Sequence, residues 1–227
     1  MKPVAYSMLA AAPFLAMVIY FYFRNRADRV FVQTLVSSFV AGIAGIVLLI
    51  LAEYLSRTYS FQYLTSLKRI LFYSFITVGG SSELGKFIML RYYIIPKKQA
   101  RKPVDAITFS IMTALGFSSA AMILFVMDFA GIRSNFPPTL YAVFIVPANI
   151  IFSVIMGFFV GMAQFLKARI VFSMTGLFGS AIFHGIFNFC MLTMDYKLLS
   201  LFSFGSMLIV LVLVLKAALT NPDQSYQ

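Results

Sequence analysis

Residues 30–55 read VFVQTLVSSFVAGIAGIVLLILAEYL, and Glu53 is the single charged side chain among them. Roughly 20 apolar residues in a helix, at about 1.5 Å per residue, cross the ~30 Å hydrocarbon layer of a bilayer. The stretch lacks the alternation of apolar and polar residues that marks a barrel strand. It therefore reads as a membrane-spanning helix, in which every backbone amide and carbonyl is satisfied internally. Working outward, six further runs of the same kind occupy residues 4–23, 70–90, 106–129, 139–165, 170–194 and 198–219. The predicted fold is all-α: a polytopic membrane bundle of about seven transmembrane helices. It forms one domain over residues 1–219, with a short polar tail over 220–227. The first run is too long for a signal-peptide core and no convincing cleavage site follows it, so it reads as a retained helix. The longest predicted loops are 56–69 and 91–105.

Composition agrees. The 227 residues are 61% hydrophobic and 11% charged, where soluble domains are about 25% charged. A soluble core of this size cannot hide so much apolar surface. A soluble enzyme, a disordered chain, a disulfide scaffold and a nucleic-acid module are all excluded. The lone Cys190 lies in an apolar run and reads as a small buried hydrophobe.

The net charge is +11. In this setting the basic residues belong to short loops that meet lipid headgroups and set orientation. One side collects Arg24, Arg26, Arg29, Arg91, Lys97, Lys98, Arg101, Lys102, Lys167, Arg169 and Lys216. The other collects Lys2, Arg57, Lys68, Arg69, Arg133 and Lys197, giving 11 against 6. The first side is expected in the cytoplasm, with the N-terminus outside and the C-terminus inside. The Lys68–Arg69 pair runs against this bias.

Ionisable groups inside a membrane are rare and mark function by default. Glu83 and Lys86 lie in Gly79-Gly80-Ser81-Ser82-Glu83-Leu84-Gly85-Lys86, three residues apart and so on one helical face. His184 and Asn188, four apart in His184-Gly185-Ile186-Phe187-Asn188, share another. Asn149 follows Pro147 in the fifth run. Glu53 and Asp128 stand near run ends and are expected at the interface. On spacing alone, the first pair reads as an internal salt bridge and the second as a polar seam between helices. One site shared by both faces is the other arrangement, and spacing does not choose. Gly157-x-x-x-Gly161, with the Ser38/Gly42 and Ala41/Gly45 steps, predicts close helix contacts.

Four segments resemble the PrsW family of bacterial intramembrane proteases, distant relatives of the type II CAAX prenyl endopeptidases and of the APH subunit of gamma-secretase. Ser82-Glu83-Leu84-Gly85-Lys86-Phe87 is similar to its Glu-Glu-x-x-Lys motif. Asp105-Ala106-Ile107 with Leu115-Gly116-Phe117-Ser118-Ser119-Ala120-Ala121-Met122 is similar to its Asp-Gly-Ile…Gly-Phe-Ala-x-x-Glu-Asn segment. Pro147-Ala148-Asn149 with Gly157-Phe158-Phe159-Val160-Gly161 is similar to a His followed by Gly-Tyr-x-x-Gly. His184-Gly185-Ile186-Phe187-Asn188 is similar to its final His-x-x-x-Asn. Together they span about half the chain.

The resemblance implies an intramembrane metalloprotease site. It also implies losses: Ser82 stands for the first Glu of the pair, Ala121 for the later Glu, and Asn149 for the first His. Glu83 and His184 remain as remnants of a catalytic set, with Lys86, Asn149, Asn188, Ser82 and Ala121 expected to line the site. A catalytic zinc takes three protein ligands, so no metal site is assigned and no cofactor is expected. The implied function is a catalytically inactive pseudoprotease that binds membrane-protein partners or clients through their transmembrane helices. The alternative is an active protease with a rearranged site using Glu83 and His184, and zinc belongs only to that alternative. A proton path through the same polar core is a third possibility, without the broken, repeated half-helices that mark many transporters. The expected location is the bacterial inner membrane, in contact with the lipid bilayer and with no nucleic-acid partner.

Overall fold

The computed structural model describes Leu15 and residues 29–61, 63–127 and 138–220. The predicted first run apart from Leu15, together with Lys2, Arg24, Arg26, Asp128, Arg133 and all but the first residue of the tail, lies outside the described residues.

Among the described residues there are six helical spans. The first joins α1 (Arg29–Gly45) to α2 (Val47–Thr58) through a tightened turn in which the Ile46 amide bonds the Ile43 carbonyl at 3.3 Å. The second is composite: α3 (Leu67–Phe72), a wide π-helical stretch (Tyr73–Gly80), α4 (Ser81–Ile88), a second π stretch (Met89–Ile94) and a 3₁₀ turn (Ile95–Lys97). Then follow α5 (Pro103–Val126), α6 (Pro138–Ala163), α7 (Arg169–Thr193) and α8 (Tyr196–Leu219). Five helices are long and apolar enough to cross a membrane: Arg29–Thr58, α5, Val143–Ala163 within α6, α7 and α8. The composite helix coincides with the predicted third run. The predicted loops shrink, because helix continues through Thr58, restarts at Leu67 and extends past Arg91 to Lys97. Apolar backbone kept from water favours helix over open loop.

Local chemistry sets the ends. Ser66 caps α3, its hydroxyl accepting from the Arg69 amide. Asp105 reaches back to accept from the Arg101 and Lys102 amides, each at 3.0 Å, and Pro103 occupies the first turn of α5, where no amide is needed.

The centre is α5: 72% of its spanning window is buried, against 11% for the peripheral α8. Contact between α5 and α1 is backbone to backbone. A Cβ on Gly116 would overlap the Phe39 carbonyl, and one on Gly42 the Thr113 carbonyl. On its other side α5 meets α6, where Gly157 lies against Ile107 and Ser110, and Gly161 against Pro103 and Ala106. Gly45 in turn lies against Gly85 of α4. The small-residue steps thus make the close contacts expected of them.

Glu53, near the end of its run, is 1% exposed, and the Tyr73 hydroxyl donates to its Oε1 at 2.8 Å. The bond ties α2 to the start of the π stretch. Tyr73→Phe removes that donor while keeping the ring, and should lower unfolding stability by about 1–2 kcal/mol. Equilibrium unfolding in bicelles measures this, and an unchanged stability contradicts it.

Candidate functional site

The two polar faces converge. Lys86 and Glu83 lie one turn apart on α4, and Lys86 Nζ donates to Glu83 Oε1 at 2.5 Å. The same oxygen receives His184 Nδ1 of α7 at 2.7 Å, from 101 residues away. Lys86 Nζ also donates to Asn149 Oδ1 of α6 at 2.7 Å, and Asn149 Nδ2 donates to the Ile145 carbonyl at 2.8 Å. Pro147, which offers no amide, sits two residues before Asn149.

Rings complete the surroundings. Lys86 Nζ is 5.1 Å from the Phe117 ring centroid of α5, and the His184 imidazole stacks on Phe152 with centroids 4.7 Å apart and planes at 25°. Glu83 is fully buried and Lys86 is 1% exposed. The ammonium and carboxylate cancel, which lets both survive in a low dielectric. An ionised carboxylate only accepts, so His184 is the donor through Nδ1–H, leaving Nε2 with the free lone pair.

A small cavity of about 20 Å³ adjoins this network, room for one water-sized group. Ser82, Asn149, His184 and Asn188 supply its polar lining, and Leu49, Val78, Phe117 and Phe187 are among its apolar walls. The Ser82 hydroxyl, Asn188 Nδ2 and Glu83 Oε2 are buried and make no hydrogen bond to another protein group. Of the residues expected to line a site, Ala121 and Lys86 are not among those that line this cavity. Ala121 is 2% exposed within the apolar cluster of Phe117, Met122 and Phe125. Sequence reading missed Phe117 and Phe152, because aromatic residues in an apolar helix carry no signal of what they cover. Spacing also gave no hint that Tyr73 would reach Glu53.

The donor set does not fit a zinc ion. Among the described residues no group of three or more His, Cys, Asp or Glu side chains converges. Here the cluster offers one carboxylate and one imidazole, where catalytic zinc takes three protein ligands. Glu83 Oε1 is already shared between an ammonium and an imidazole N–H.

Residues 31–218 match the sequence model of the PrsW family intramembrane metalloproteases. The chain belongs to this family. Protease PrsW of Bacillus subtilis (strain 168) is 25% identical over 184 residues, covering 78% of this chain and 78% of that protein. Protease PrsW of Shouchella clausii (strain KSM-K16) is 22% identical over 193 residues, covering 85% and 86%. Protease PrsW of Clostridioides difficile (strain 630) is 24% identical over 193 residues, covering 84% and 80%. No solved structure matches the chain significantly. The protein is thus a multi-pass membrane protein of the PrsW family. The matched stretch contains the whole polar network as well as the Glu53–Tyr73 bond.

Proposed function

We propose that this PrsW-family protein is a pseudoprotease of the bacterial cytoplasmic membrane that binds membrane-protein partners without cleaving them. One observation carries the reading. Glu83 and His184, the groups that could activate water or hold a metal, are bonded to each other, and Glu83 is also bonded to Lys86 in a charge-balanced network. Ala121 and Asn149 stand where the resemblance calls for a carboxylate and an imidazole, and neither replaces that chemistry. The family's membrane-protein substrates motivate the partner class. The basic residues Lys97, Lys98, Arg101 and Lys102 precede α5 and Lys167 precedes α7, whereas Arg57 and Lys68 lie across the bundle. This supports a cytoplasmic C-terminus and an outer N-terminus.

The test uses the purified full-length chain reconstituted in lipid with a membrane-protein substrate of a proteolytic relative. Expected are binding of the substrate, no stoichiometric zinc by elemental analysis, and no cleavage product. Zinc at one per chain together with cleavage overturns the reading. A cytosol-active reporter fused after Gln227 should work, and its silence would reverse the orientation.

A second reading has one observation in its favour: the hydrogen-bonded Glu83–His184 pair lies beside a cavity large enough for a water. A metal-free hydrolase built on that pair would lose cleavage in Glu83→Gln and in His184→Ala when activity is measured per folded molecule.

A further inference from the structure

We propose that the basic end of the bundle holds a binding site for an anionic glycerophospholipid of the adjoining leaflet. Its phosphodiester is seated among Lys97, Lys98, Arg101, Lys102, Lys167 and Arg169. The site is remote from the buried polar network, and the inference does not depend on whether the chain cleaves anything.

Packing brings these residues to one end. Lys97 closes the 3₁₀ turn of the composite helix, residues 98–102 lead into α5, and Lys167 and Arg169 stand at the start of α7. Ile95 and Ala100 are buried with Val160 of α6 in one apolar cluster, and Gly161 backs onto Pro103. The 97–102 segment therefore lies beside the turn that joins α6 to α7. Lys98, Arg101, Lys102, Lys167 and Arg169 are exposed there. Among the described residues Asp105 is the carboxylate at this end, and its Oδ2 accepts from the Arg101 and Lys102 amides. Six cations against one carboxylate leave a net positive field in the layer where anionic headgroups lie.

Charge alone would attract any polyanion, but the neighbours of these cations suit a lipid. One turn before Lys97, Tyr92 and Tyr93 are exposed, as aromatic residues are at headgroup depth. Cations lie on both rings: Lys97 Nζ is 4.4 Å from the Tyr93 centroid, and the Arg91 guanidinium carbon is 5.9 Å from that of Tyr92. Directly after Arg169, exposed Ile170 and Val171 begin the apolar span of α7. Surface for acyl chains thus adjoins charge for a phosphate. Lys98 holds a left-handed backbone, φ 56° and ψ 26°, with its amide bonded to the Ile95 carbonyl at 3.0 Å. Glycine is favoured in that conformation, so the turn keeps a charged side chain at the expense of backbone stability.

The experiment is thermal unfolding of the full chain in neutral detergent micelles, titrated at constant ionic strength with dihexanoylphosphatidylglycerol, dihexanoylphosphatidylcholine or sodium phosphate. Phosphatidylglycerol should raise Tm saturably, by about 4 °C at ten times its half-saturating concentration, and the other two should not. Each cation near an anionic lipid changes affinity about fivefold, so Lys97→Gln/Lys98→Gln/Lys167→Gln should raise the half-saturating concentration about 100-fold. Lys68→Gln/Lys197→Gln, at the opposite end, should keep the wild-type value. Lys98→Gly separates backbone from charge. Without lipid it should melt with the wild type or up to about 3 °C higher, yet bind phosphatidylglycerol about fivefold more weakly. It also decides the matter if the triple variant yields too little folded protein, and unchanged affinity in it overturns the proposal. Equal stabilisation by phosphatidylcholine or by free phosphate overturns it too, as does a half-saturation that follows the opposite end. No shift with phosphatidylglycerol would assign the patch to another polyanion, such as an acidic protein segment, and would equally overturn it.

Discussion

Glu83→Gln should destabilise the protein by about 3–5 kcal/mol, because it strands an ammonium in the bundle interior. Glu83 is fully buried, and its Oε1 serves both Lys86 and His184. A neutral amide keeps the shape and can still accept a hydrogen bond, yet leaves the Lys86 charge uncompensated among apolar walls. His184→Phe removes a neutral partner and keeps a ring against Phe152, so its loss should be smaller, about 1–2 kcal/mol. Equilibrium unfolding in mixed micelles ranks the two. Equal losses would mean that hydrogen bonding, rather than charge balance, holds the cluster together. A Glu83→Gln loss below about 1 kcal/mol would mean that water or lipid headgroups reach Lys86, against its 1% exposure.

Gly116→Ala should be damaging out of proportion to one methyl group. The new Cβ would overlap the Phe39 carbonyl, and because that neighbour is backbone no side chain can swing aside. Helices α1 and α5 would have to separate, breaking the contact that seats Gly42 against Thr113 and Phe117. A loss of about 3 kcal/mol or more is expected, at the upper end for overpacking. Gly205→Ala is the control. Nothing lies within 4 Å of its would-be Cβ, so it should be neutral or gain up to about 1 kcal/mol from helix propensity. If both alanines behave alike, the α1–α5 crossing is not the tight contact described.

The helices were legible because apolar runs of spanning length leave the backbone one economical solution in lipid. Their edges were less so. Polar residues after Leu55 and before Asp105 suggested loops of 56–69 and 91–105, but packing against the bundle extends helix into both. The π-helical stretches on either side of α4 had no sequence sign. Glu53 shows the same limit: its sequence position gave no sign that its partner would be Tyr73 from the next helix.

By itself, the sequence determined that this protein lives in a bilayer as a helical bundle, that its small-residue steps bring helices together, and that Glu83, Lys86, Asn149, His184 and Asn188 are its deep polar groups. Spacing along a helix shows only which side chains share a face. Whether the Glu83–Lys86 face and the His184–Asn188 face meet depends on how helices 101 residues apart are packed. Tertiary structure decided that they do, with Asn149 joined from 63 residues away. The physical reason is dielectric: charges cannot be left singly in hydrocarbon, so the bundle must bring the carboxylate, the ammonium and the imidazole together.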